Sequence, residues 1–457
     1  MKELKTILPA NRRVQTLLGK ARGREGELVW TSFLVRLPVE AGLLLHNTLT
    51  LELVMVPAEL VQALEAPTGE LRDWLHRHWF LIPGDLDEHA LARELRQTLR
   101  LMDPPPTRLE KYTVFTTTAC NARCFYCYEQ KWGPRTMSLE TADRVADYMI
   151  AHSAGGSFQI VWFGGEPLVN MRVIERISQR LTEAGADFWS SMVTNAYLFD
   201  PEVIARAVSF WRLRQINVTL DGVGETYDRI KDFKGVESGA FERVVGNIRS
   251  LSEAGVRVTI RMNYDLHNLE EIHRLTDWLG EHLAGLPGVA AYPVALSEDP
   301  DDPALQRTPE VRELLCRQEA LLRRKLETAG LFHPLRLPRS LETHMCMADS
   351  GSMITILPEG QIGLCESYDR EGVVGSVDSP ELDQAAVAKT LELRAEIPEC
   401  ADCPLYADCI RLKICPNQIC HAQRRDARIE RKKRSMSVEW ERYLRKKARA
   451  EEGPVSG

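Results

Sequence analysis

The sequence lacks any uninterrupted apolar run of about 18 residues, the length that a membrane-spanning helix requires. Its first segment, residues 1–13, also lacks the apolar stretch of a secretory signal peptide. Basic residues are not in excess, because the formal net charge is −7, and this disfavours a general nucleic-acid-binding protein. We therefore expect a cytoplasmic protein that binds neither membranes nor nucleic acid.

Cysteine, in contrast, is abundant and clustered. The chain has 457 residues and 11 cysteines, with ordinary globular proportions of 44% hydrophobic and 27% charged residues. In a reducing compartment, clustered cysteines indicate metal or redox chemistry rather than disulfide bonds. The length suits roughly two to four domains.

The middle of the chain alternates between strand and helix patterns. Between Lys111 and Leu296, six segments are rich in β-branched and aromatic residues, and helical stretches separate them. Repeated strand–helix units predict an α/β fold with a parallel sheet, here a partial (β/α)6 version of the TIM-like barrel. In such barrels the chemistry takes place at the C-terminal ends of the strands.

The regions on either side of this barrel have different patterns of predicted secondary structure. Strand patterns at 33–37, 43–47 and 51–56 precede helical patterns at 58–65, 70–80 and 88–101, which predicts a winged-helix-like α+β module. Pro104-Pro105-Pro106 then indicates a stiff linker. The predicted domains are an N-terminal extension (1–29), the winged-helix-like module (30–103), the barrel (104–300), a helical linker (301–343), a cysteine-rich cluster-binding domain (344–422) and a basic helical tail (423–457).

Three cysteines follow the first predicted barrel strand directly. Cys120, Cys124 and Cys127 have the spacing C-x3-C-x2-C. Three thiolates can hold a [4Fe–4S] cluster and leave one iron without a protein ligand. An open metal position is what catalysis requires, whereas a zinc knuckle or unrelated thiols are the structural alternative.

The run Cys-Asn-Ala-Arg-Cys-Phe-Tyr-Cys at 120–127 resembles the signature of the radical S-adenosylmethionine (radical SAM) enzymes. In that family the open iron chelates S-adenosylmethionine, and one electron cleaves it to a 5′-deoxyadenosyl radical that abstracts a hydrogen atom. The resemblance implies that Tyr126 lies beside the adenine. It also implies an electron donor such as flavodoxin or ferredoxin.

Further candidate cofactor contacts lie at the predicted strand ends. Gly164-Gly165-Glu166-Pro167 follows the second strand, and two glycines allow the backbone to approach a ligand closely. The resemblance implies that this motif contacts the methionine amino group, and an ordinary turn is the alternative. Candidates for ribose and carboxylate contacts, with strand-end capping as the alternative, are Thr194, Asn195, Asp221, Asn263 and Arg261, of which the guanidinium of Arg261 best suits a carboxylate.

A second cysteine pattern occupies the C-terminal region. Its halves are Cys346-x13-Gly360-x4-Cys365 and Cys400-x2-Cys403-x5-Cys409-x5-Cys415-x4-Cys420. This pattern resembles the SPASM extension, which carries two auxiliary [4Fe–4S] clusters. The resemblance assigns Cys400, Cys403, Cys409 and Cys420 to one cluster, and Cys346, Cys365 and Cys415 to the other.

This region departs from the usual pattern in two ways. The gap between Cys409 and Cys415 is five residues rather than three, and no cysteine lies between Cys346 and Cys365. The auxiliary cluster of Cys346, Cys365 and Cys415 is therefore left with an open iron or a non-cysteine ligand. Structural zinc is the alternative for the whole region, because CxxC pairs often bind it.

The substrate class follows from two weaker features. Glu366 follows Cys365, where related sulfatase-modifying enzymes place an acidic proton acceptor; a solvated glutamate is the alternative. Residues 43–50 and the elements after them resemble leader-recognition domains of ribosomal-peptide (RiPP) maturases, which bind a leader as an edge strand. The favoured hypothesis is a maturase of a precursor peptide with a leader segment. The alternatives are a sulfatase-type maturase that makes formylglycine, and a non-catalytic cluster or zinc scaffold.

Overall fold

The computed structural model describes most of the chain, and the predicted linker Pro104-Pro105-Pro106 lies outside the described residues. The described residues are 4–19, 27–103, 108–127, 129, 132–296, 298, 307–341, 346–367, 372–379, 381–409, 412–413, 415 and 420–451. Among these residues, no helix combines the length and the apolarity that crossing a bilayer would require.

Within the described residues, the N-terminal region is built from two antiparallel sheets and four α-helices. Its strands are β1 (Lys5–Leu8), β2 (Leu28–Trp30), β3 (Leu34–Val39), β4 (Gly42–Asn47), β5 (Leu53–Pro57) and β6 (Leu81–Pro83). Its helices are α1 (Arg12–Leu18), α2 (Ala58–Val61), α3 (Gly69–Arg77) and α4 (Glu88–Met102). One sheet has the order β1-β5-β4-β3, and the other pairs β2 with β6.

The strands of this region follow from apolar runs. β4 and β5 carry consecutive aliphatic residues that are buried, such as Leu44, Leu45 and Val54. The Asn47 side chain accepts hydrogen bonds from the amides of Leu49 and Thr50, which stabilises the turn after β4. The three predicted strands and three predicted helical segments are present. β1 pairs with β5, although it lies in the segment predicted as an N-terminal extension. The limits of the domains remain a prediction.

The central region is an open parallel sheet whose strands alternate with helices. Its strands are β7 (Lys111–Thr117), β8 (Phe158–Gly164), β9 (Phe188–Thr194), β10 (Leu213–Thr219), β11 (Arg257–Tyr264) and β12 (Val289–Ala295). Its helices are α5 (Leu139–His152), α6 (Met171–Glu183), α7 (Pro201–Ser209), α8 (Glu225–Lys231), α9 (Ala240–Glu253) and α10 (Leu269–His282). Adjacent strands from β7 to β12 pair in parallel, which confirms the predicted α/β fold with a partial barrel.

The C-terminal region continues the same sheet. Its elements are α11 (Pro309–Thr328), β13 (Met353–Ile356), β14 (Gln361–Gly363), β15 (Val373–Ser376), α12 (Gln384–Thr390) and α13 (Ala422–Glu451). β13 pairs in parallel with β7, and β14 and β15 add antiparallel strands beyond it. The cysteine-rich region is thereby joined directly to the first barrel strand.

The basic helix α13 packs against the rest of the chain along part of its length. Met436 is fully buried, and it shares an apolar cluster with residues of β3, β4 and β5. Glu439 is also buried, and Arg336 and Arg339 donate to its carboxylate at 2.9 and 3.3 Å. The helix therefore connects the N-terminal sheet with the cysteine-rich region.

Candidate active site

The loop of Cys120, Cys124 and Cys127 lies at the C-terminal end of β7, as the barrel geometry predicts. The Cys120 thiol accepts a hydrogen bond from the Ala122 amide at 3.4 Å, and the Cys127 amide donates to the Cys124 carbonyl at 3.1 Å. Burial raises the pKa of Cys120 to about 12. A buried thiolate needs a compensating cation, and cluster iron would supply that charge.

The chain segment at the end of α8 holds this loop in place. The Arg123 amide donates to the Lys231 carbonyl at 2.9 Å, and the Lys234 amide donates to the Asn121 carbonyl at 2.8 Å. Arg123 also forks onto the carboxylate of Asp232, with both nitrogen–oxygen distances at 2.7 Å. Sequence reasoning did not identify these residues, because ordinary polar residues at a helix end form no motif.

A buried polar network surrounds the Tyr126 side chain. The Tyr126 hydroxyl donates to the Asp221 carboxylate, and the Lys231 ammonium donates to the same hydroxyl at 2.8 Å. Lys231 and Asp221 form an ion pair at 2.6 Å in which both side chains are almost fully buried. Burial alone would lower the pKa of Lys231, but the adjacent Asp221 carboxylate raises it above the ordinary lysine value. Asp221, predicted as a cofactor contact, thus binds side chains of the same chain, those of Tyr126 and Lys231.

The two glycines before Glu166 lie where a side chain would collide with the backbone of the cysteine loop. Gly164 has a φ of +118°, and a Cβ there would lie 2.0 Å from the Thr117 carbonyl oxygen. A Cβ on Gly165 would lie 2.6 Å from the carbonyl oxygens of Thr118 and Ala119. Glycine is therefore required for β8 to approach the end of β7.

Glu166 is fully buried between two strand ends. Its carboxylate accepts hydrogen bonds from the Asn195 amide at 2.8 Å, the Thr194 hydroxyl at 2.9 Å and the Leu168 amide at 3.1 Å. Burial raises the pKa of Glu166 to about 7, even though these donors oppose the shift. Pro167 follows at the start of a short 3₁₀ helix.

Asn195 connects this carboxylate to the cysteine loop. Its side-chain amide lies 3.9 Å from the Cys120 thiol and donates to the Asn121 side chain at 2.7 Å. The structure therefore brings Glu166, Thr194, Asn195 and Cys120 into one connected group at the barrel mouth.

Arg261 and Asn263 connect to the same mouth from β11. The Arg261 guanidinium is exposed and donates to the Asn263 side chain at 2.8 Å. The Asn263 amide donates to Asp221 at 3.1 Å, which joins β11 to the Tyr126 network. An exposed guanidinium at this edge is available to a ligand carboxylate.

Glu129 is a buried acidic residue that sequence reasoning missed. Only 7% of its surface is exposed, and within the described residues one of its carboxylate oxygens has no hydrogen-bond partner. Burial, and then the charge of Glu166, raise the pKa of Glu129 to about 8. The proximity of two carboxylates near the cysteine loop makes this region suited to a cationic group.

Four C-terminal cysteines line a single cavity. This cavity is also lined by Tyr406, Arg425 and Arg428, and the four cysteines are Cys400, Cys403, Cys409 and Cys420. The Arg428 guanidinium lies 3.7 Å from the Cys409 thiol. These are the same four cysteines that the resemblance to the SPASM extension assigns to one cluster.

The N-terminal module contacts the backbone of this cavity. Arg96 of α4 donates to the carbonyls of Cys409 at 2.5 Å and Tyr406 at 3.2 Å, and also to that of Ala407. His89 lies 3.1 Å from the Cys400 carbonyl oxygen. One module thus positions the turns that carry two of the four cysteines.

The remaining predicted ligands lie on the barrel side of this region. Burial raises the pKa of Cys365 to about 12, and the charges of Glu366 and Cys415 contribute to the shift. The Glu366 carboxylate lies 3.7 Å from the Cys365 thiol. Cys346, Cys365 and Cys415 all pack against the barrel core. In the described part of the chain, no three His, Cys, Asp or Glu side chains are arranged to hold a single metal ion.

Comparisons with known proteins agree with this geometry. Residues 114–279 match the family model of the radical SAM superfamily. A stretch of 179 residues is 28% identical to Fe-coproporphyrin III synthase of Methanosarcina barkeri, covering 38% of this chain and 42% of that protein. Another stretch, of 169 residues, is 28% identical to the sporulation killing factor maturation protein SkfB of Bacillus subtilis, covering 35% of this chain and 37% of that protein. The chain thus spans less than half the length of either relative.

Solved structures extend the likeness beyond the barrel. The structure of anSMEcpe with bound AdoMet and Cp18Cys peptide matches with a TM-score of 0.57 and 12% identity, covering 74% of this chain and 99% of that one. Streptococcus suis SuiB bound to precursor peptide SuiA matches with a TM-score of 0.50 and 12% identity, covering 84% and 94%. At these identities the likeness shows a shared fold.

Three cysteines and a buried Gly-Gly-Glu-Pro motif lie at the C-terminal edge of the partial parallel barrel. Residues 114–279 of the 457 match the radical SAM family model, so this part of the chain is a radical SAM domain. The predicted resemblance to this family is confirmed, and the superfamily implies S-adenosylmethionine and a [4Fe–4S] cluster as cofactors.

Proposed function

We propose that this protein is a radical SAM maturase of a ribosomally made precursor peptide. It abstracts a hydrogen atom from the peptide, which leads to a crosslink or another modification. The observation that carries the peptide assignment is the direct attachment of the N-terminal module to the cavity of Cys400, Cys403, Cys409 and Cys420. A module fused to a candidate cluster site in this way would deliver a substrate to the chemistry.

The residues at the barrel mouth fit the cofactors of the superfamily. Cys120, Cys124 and Cys127 would hold the cluster, and three thiolates leave one iron open. Gly164 and Gly165 let the end of β8 approach the cysteine loop more closely than any side chain would permit. When bound, the cluster and S-adenosylmethionine supply reductive cleavage and hydrogen-atom abstraction.

The chain's own residues would orient S-adenosylmethionine by charge and shape. Glu166 would accept hydrogen bonds from the amino group, and the exposed guanidinium of Arg261 would pair with the carboxylate. Tyr126 would lie beside the adenine. Thr194, Asn195, Asn263 and Pro167 would shape the ribose and methionine contacts around these groups.

We also propose two auxiliary clusters. Cys400, Cys403, Cys409 and Cys420 would hold one, and their shared cavity supports this assignment. Cys346, Cys365 and Cys415 would supply three ligands to the other. Glu366, which lies beside Cys365, would accept a proton from the substrate as catalysis proceeds.

The leader of the precursor would bind the N-terminal module. β3 lies at one edge of the four-stranded sheet, and an extended peptide can add to such an edge by main-chain hydrogen bonds. We also propose that the protein acts in the cytoplasm and receives electrons from a donor such as flavodoxin or ferredoxin.

The test is anaerobic reaction of the reconstituted protein with S-adenosylmethionine, a reductant and short peptides encoded beside its gene, followed by mass spectrometry. We expect formation of 5′-deoxyadenosine and a mass change in one peptide that requires its leader. Conversion of a cysteine or serine to formylglycine would instead favour the sulfatase-type alternative. No 5′-deoxyadenosine with any peptide would favour the non-catalytic scaffold.

A further inference from the structure

Lys231 is a lysine buried beside the cysteine loop, and its ammonium has three hydrogen-bond partners. The side chain is 1% exposed. The ammonium donates to Asp221 at 2.6 Å, to the Thr219 hydroxyl at 2.6 Å and to the Tyr126 hydroxyl at 2.8 Å. An ammonium has three protons, so this set of acceptors accounts for its full donor capacity.

Stability alone does not account for such an arrangement. Transfer of two charges out of water costs several kcal/mol per ion, so apolar residues of similar volume often serve a fold equally well. The second Asp221 oxygen accepts the Asn263 amide, so the pair connects strands β10 and β11 with the cysteine loop. What this pair provides is a fixed position for the groups that it contacts.

Both the backbone and the side chain of Lys231 hold the cysteine loop. Its carbonyl accepts the Arg123 amide at 2.9 Å and lies 4.0 Å from the Cys124 thiol. Its ammonium lies 5.5 Å from the centre of the Tyr126 ring. Tyr126 stands between Cys124 and Cys127, so one residue controls the position of the ring and of the loop around it.

We infer that Lys231, acting with Asp221, is a positioning residue that fixes the Tyr126 ring against the adenine of S-adenosylmethionine. The inference rests on the proposed use of this site for that cofactor. It predicts that loss of Lys231 weakens S-adenosylmethionine binding while the three cysteines still assemble their cluster.

The test compares Lys231→Met with Arg229→Met, a matched control that removes an exposed positive charge from the same helix. The double variant Lys231→Met/Asp221→Asn also removes the carboxylate that the single variant would leave buried and unpaired. Measurements are iron content, the dissociation constant of S-adenosylmethionine, and the electron paramagnetic resonance spectrum of the reduced cluster with and without S-adenosylmethionine. A potential titration of the cluster reports on the charge beside Cys124.

We expect both Lys231 variants to retain the iron held by Cys120, Cys124 and Cys127. The dissociation constant of S-adenosylmethionine should rise at least about tenfold. The spectral change on adding S-adenosylmethionine should shrink, and the control should match the unmodified protein. Wild-type affinity and spectral change in the double variant would overturn the inference. If neither variant folds, Tyr126→Phe provides the test, because it removes the hydroxyl that accepts the hydrogen bond from Lys231. Unchanged affinity of Tyr126→Phe for S-adenosylmethionine would also overturn the inference. Failure of the proposed cofactor site is distinct, because the unmodified protein would then bind no S-adenosylmethionine, and failure of the peptide assignment would leave S-adenosylmethionine binding by the unmodified protein intact.

Discussion

The Asn195 amide donates a hydrogen bond of 2.8 Å to the buried carboxylate of Glu166, and this contact joins the ends of β8 and β9. Two further donors, from Thr194 and Leu168, converge on the same carboxylate. A glutamine at this position would place an NH₂ group against at least one of these donors. The contact therefore requires a group that only accepts hydrogen bonds.

Glu166→Gln should weaken S-adenosylmethionine binding by about ten- to a hundredfold, because a charge-assisted hydrogen bond is lost. Iron at the first cluster should remain. Equilibrium dialysis with labelled cofactor measures the affinity. Glu140→Gln, which changes an exposed glutamate at the start of α5, is the matched control. Wild-type affinity in Glu166→Gln would contradict the assigned contact.

Gly165→Ala should disrupt the cysteine loop. The added Cβ would lie 2.6 Å from the carbonyl oxygens of Thr118 and Ala119, directly before Cys120. Overpacking of this kind costs about 1–3 kcal/mol, and the backbone shift should lower the iron bound by the first cluster. Gly246→Ala in α9 is the control, since its Cβ would meet nothing within 4 Å. Equal iron content and thermal stability in the two variants would show that the close approach is unimportant.

Arg96→Lys should selectively empty the auxiliary site of Cys400, Cys403, Cys409 and Cys420. A lysine cannot fork onto the three carbonyls that Arg96 contacts, and each charge-assisted hydrogen bond that is lost costs about 1.5–3 kcal/mol. We expect iron content to fall by about four atoms per chain, with the first cluster retained. Arg93→Lys is the control, because Arg93 is 52% exposed and contacts the same turn through the Tyr406 hydroxyl. A full iron complement in Arg96→Lys would refute this dependence.

His46 should make the N-terminal sheet sensitive to acid. Burial, followed by the charge of Lys432, lowers the pKa of His46 to about 4, although the Glu52 carbonyl and Asp408 oppose the shift. Its stabilising contribution is therefore present above the unfolded pKa of about 6.5 and is lost as the pH falls towards 4. Between about pH 7.5 and pH 5, this residue alone should cost about 2 kcal/mol of unfolding free energy.

Denaturant unfolding of the full chain at both pH values, compared with His46→Gln, measures this contribution. The variant removes the titrating group, so its loss of stability on acidification should be smaller by about that amount. The comparison cancels the acid sensitivity of clusters and of other carboxylates, which both proteins share. Equal pH dependence in the two proteins would contradict a depressed pKa at His46.

Local sequence signals were sufficient for the barrel and for the grouping of its motifs. β-branched runs predicted the strands β7 to β12, and strand-end position placed Glu166, Thr194 and Asn195 near Cys120. Lys231 and Glu129 could not be found in this way, because their burial arises only when distant segments pack together. For the same reason, the charge pattern of α13 predicted a basic helix but not the apolar contacts of Met436. A single apolar residue such as Met436 carries too little periodicity to show which face of a charged helix is buried.

The most direct test of the account is anaerobic reconstitution of the unmodified protein and of the variant Cys120→Ala/Cys124→Ala/Cys127→Ala, each reduced in the presence of S-adenosylmethionine. We predict that the unmodified protein forms 5′-deoxyadenosine, whereas the triple variant forms none and loses about four iron atoms while it keeps its auxiliary iron. Equal 5′-deoxyadenosine from both proteins, or none from the fully reconstituted unmodified protein, would contradict the central claim.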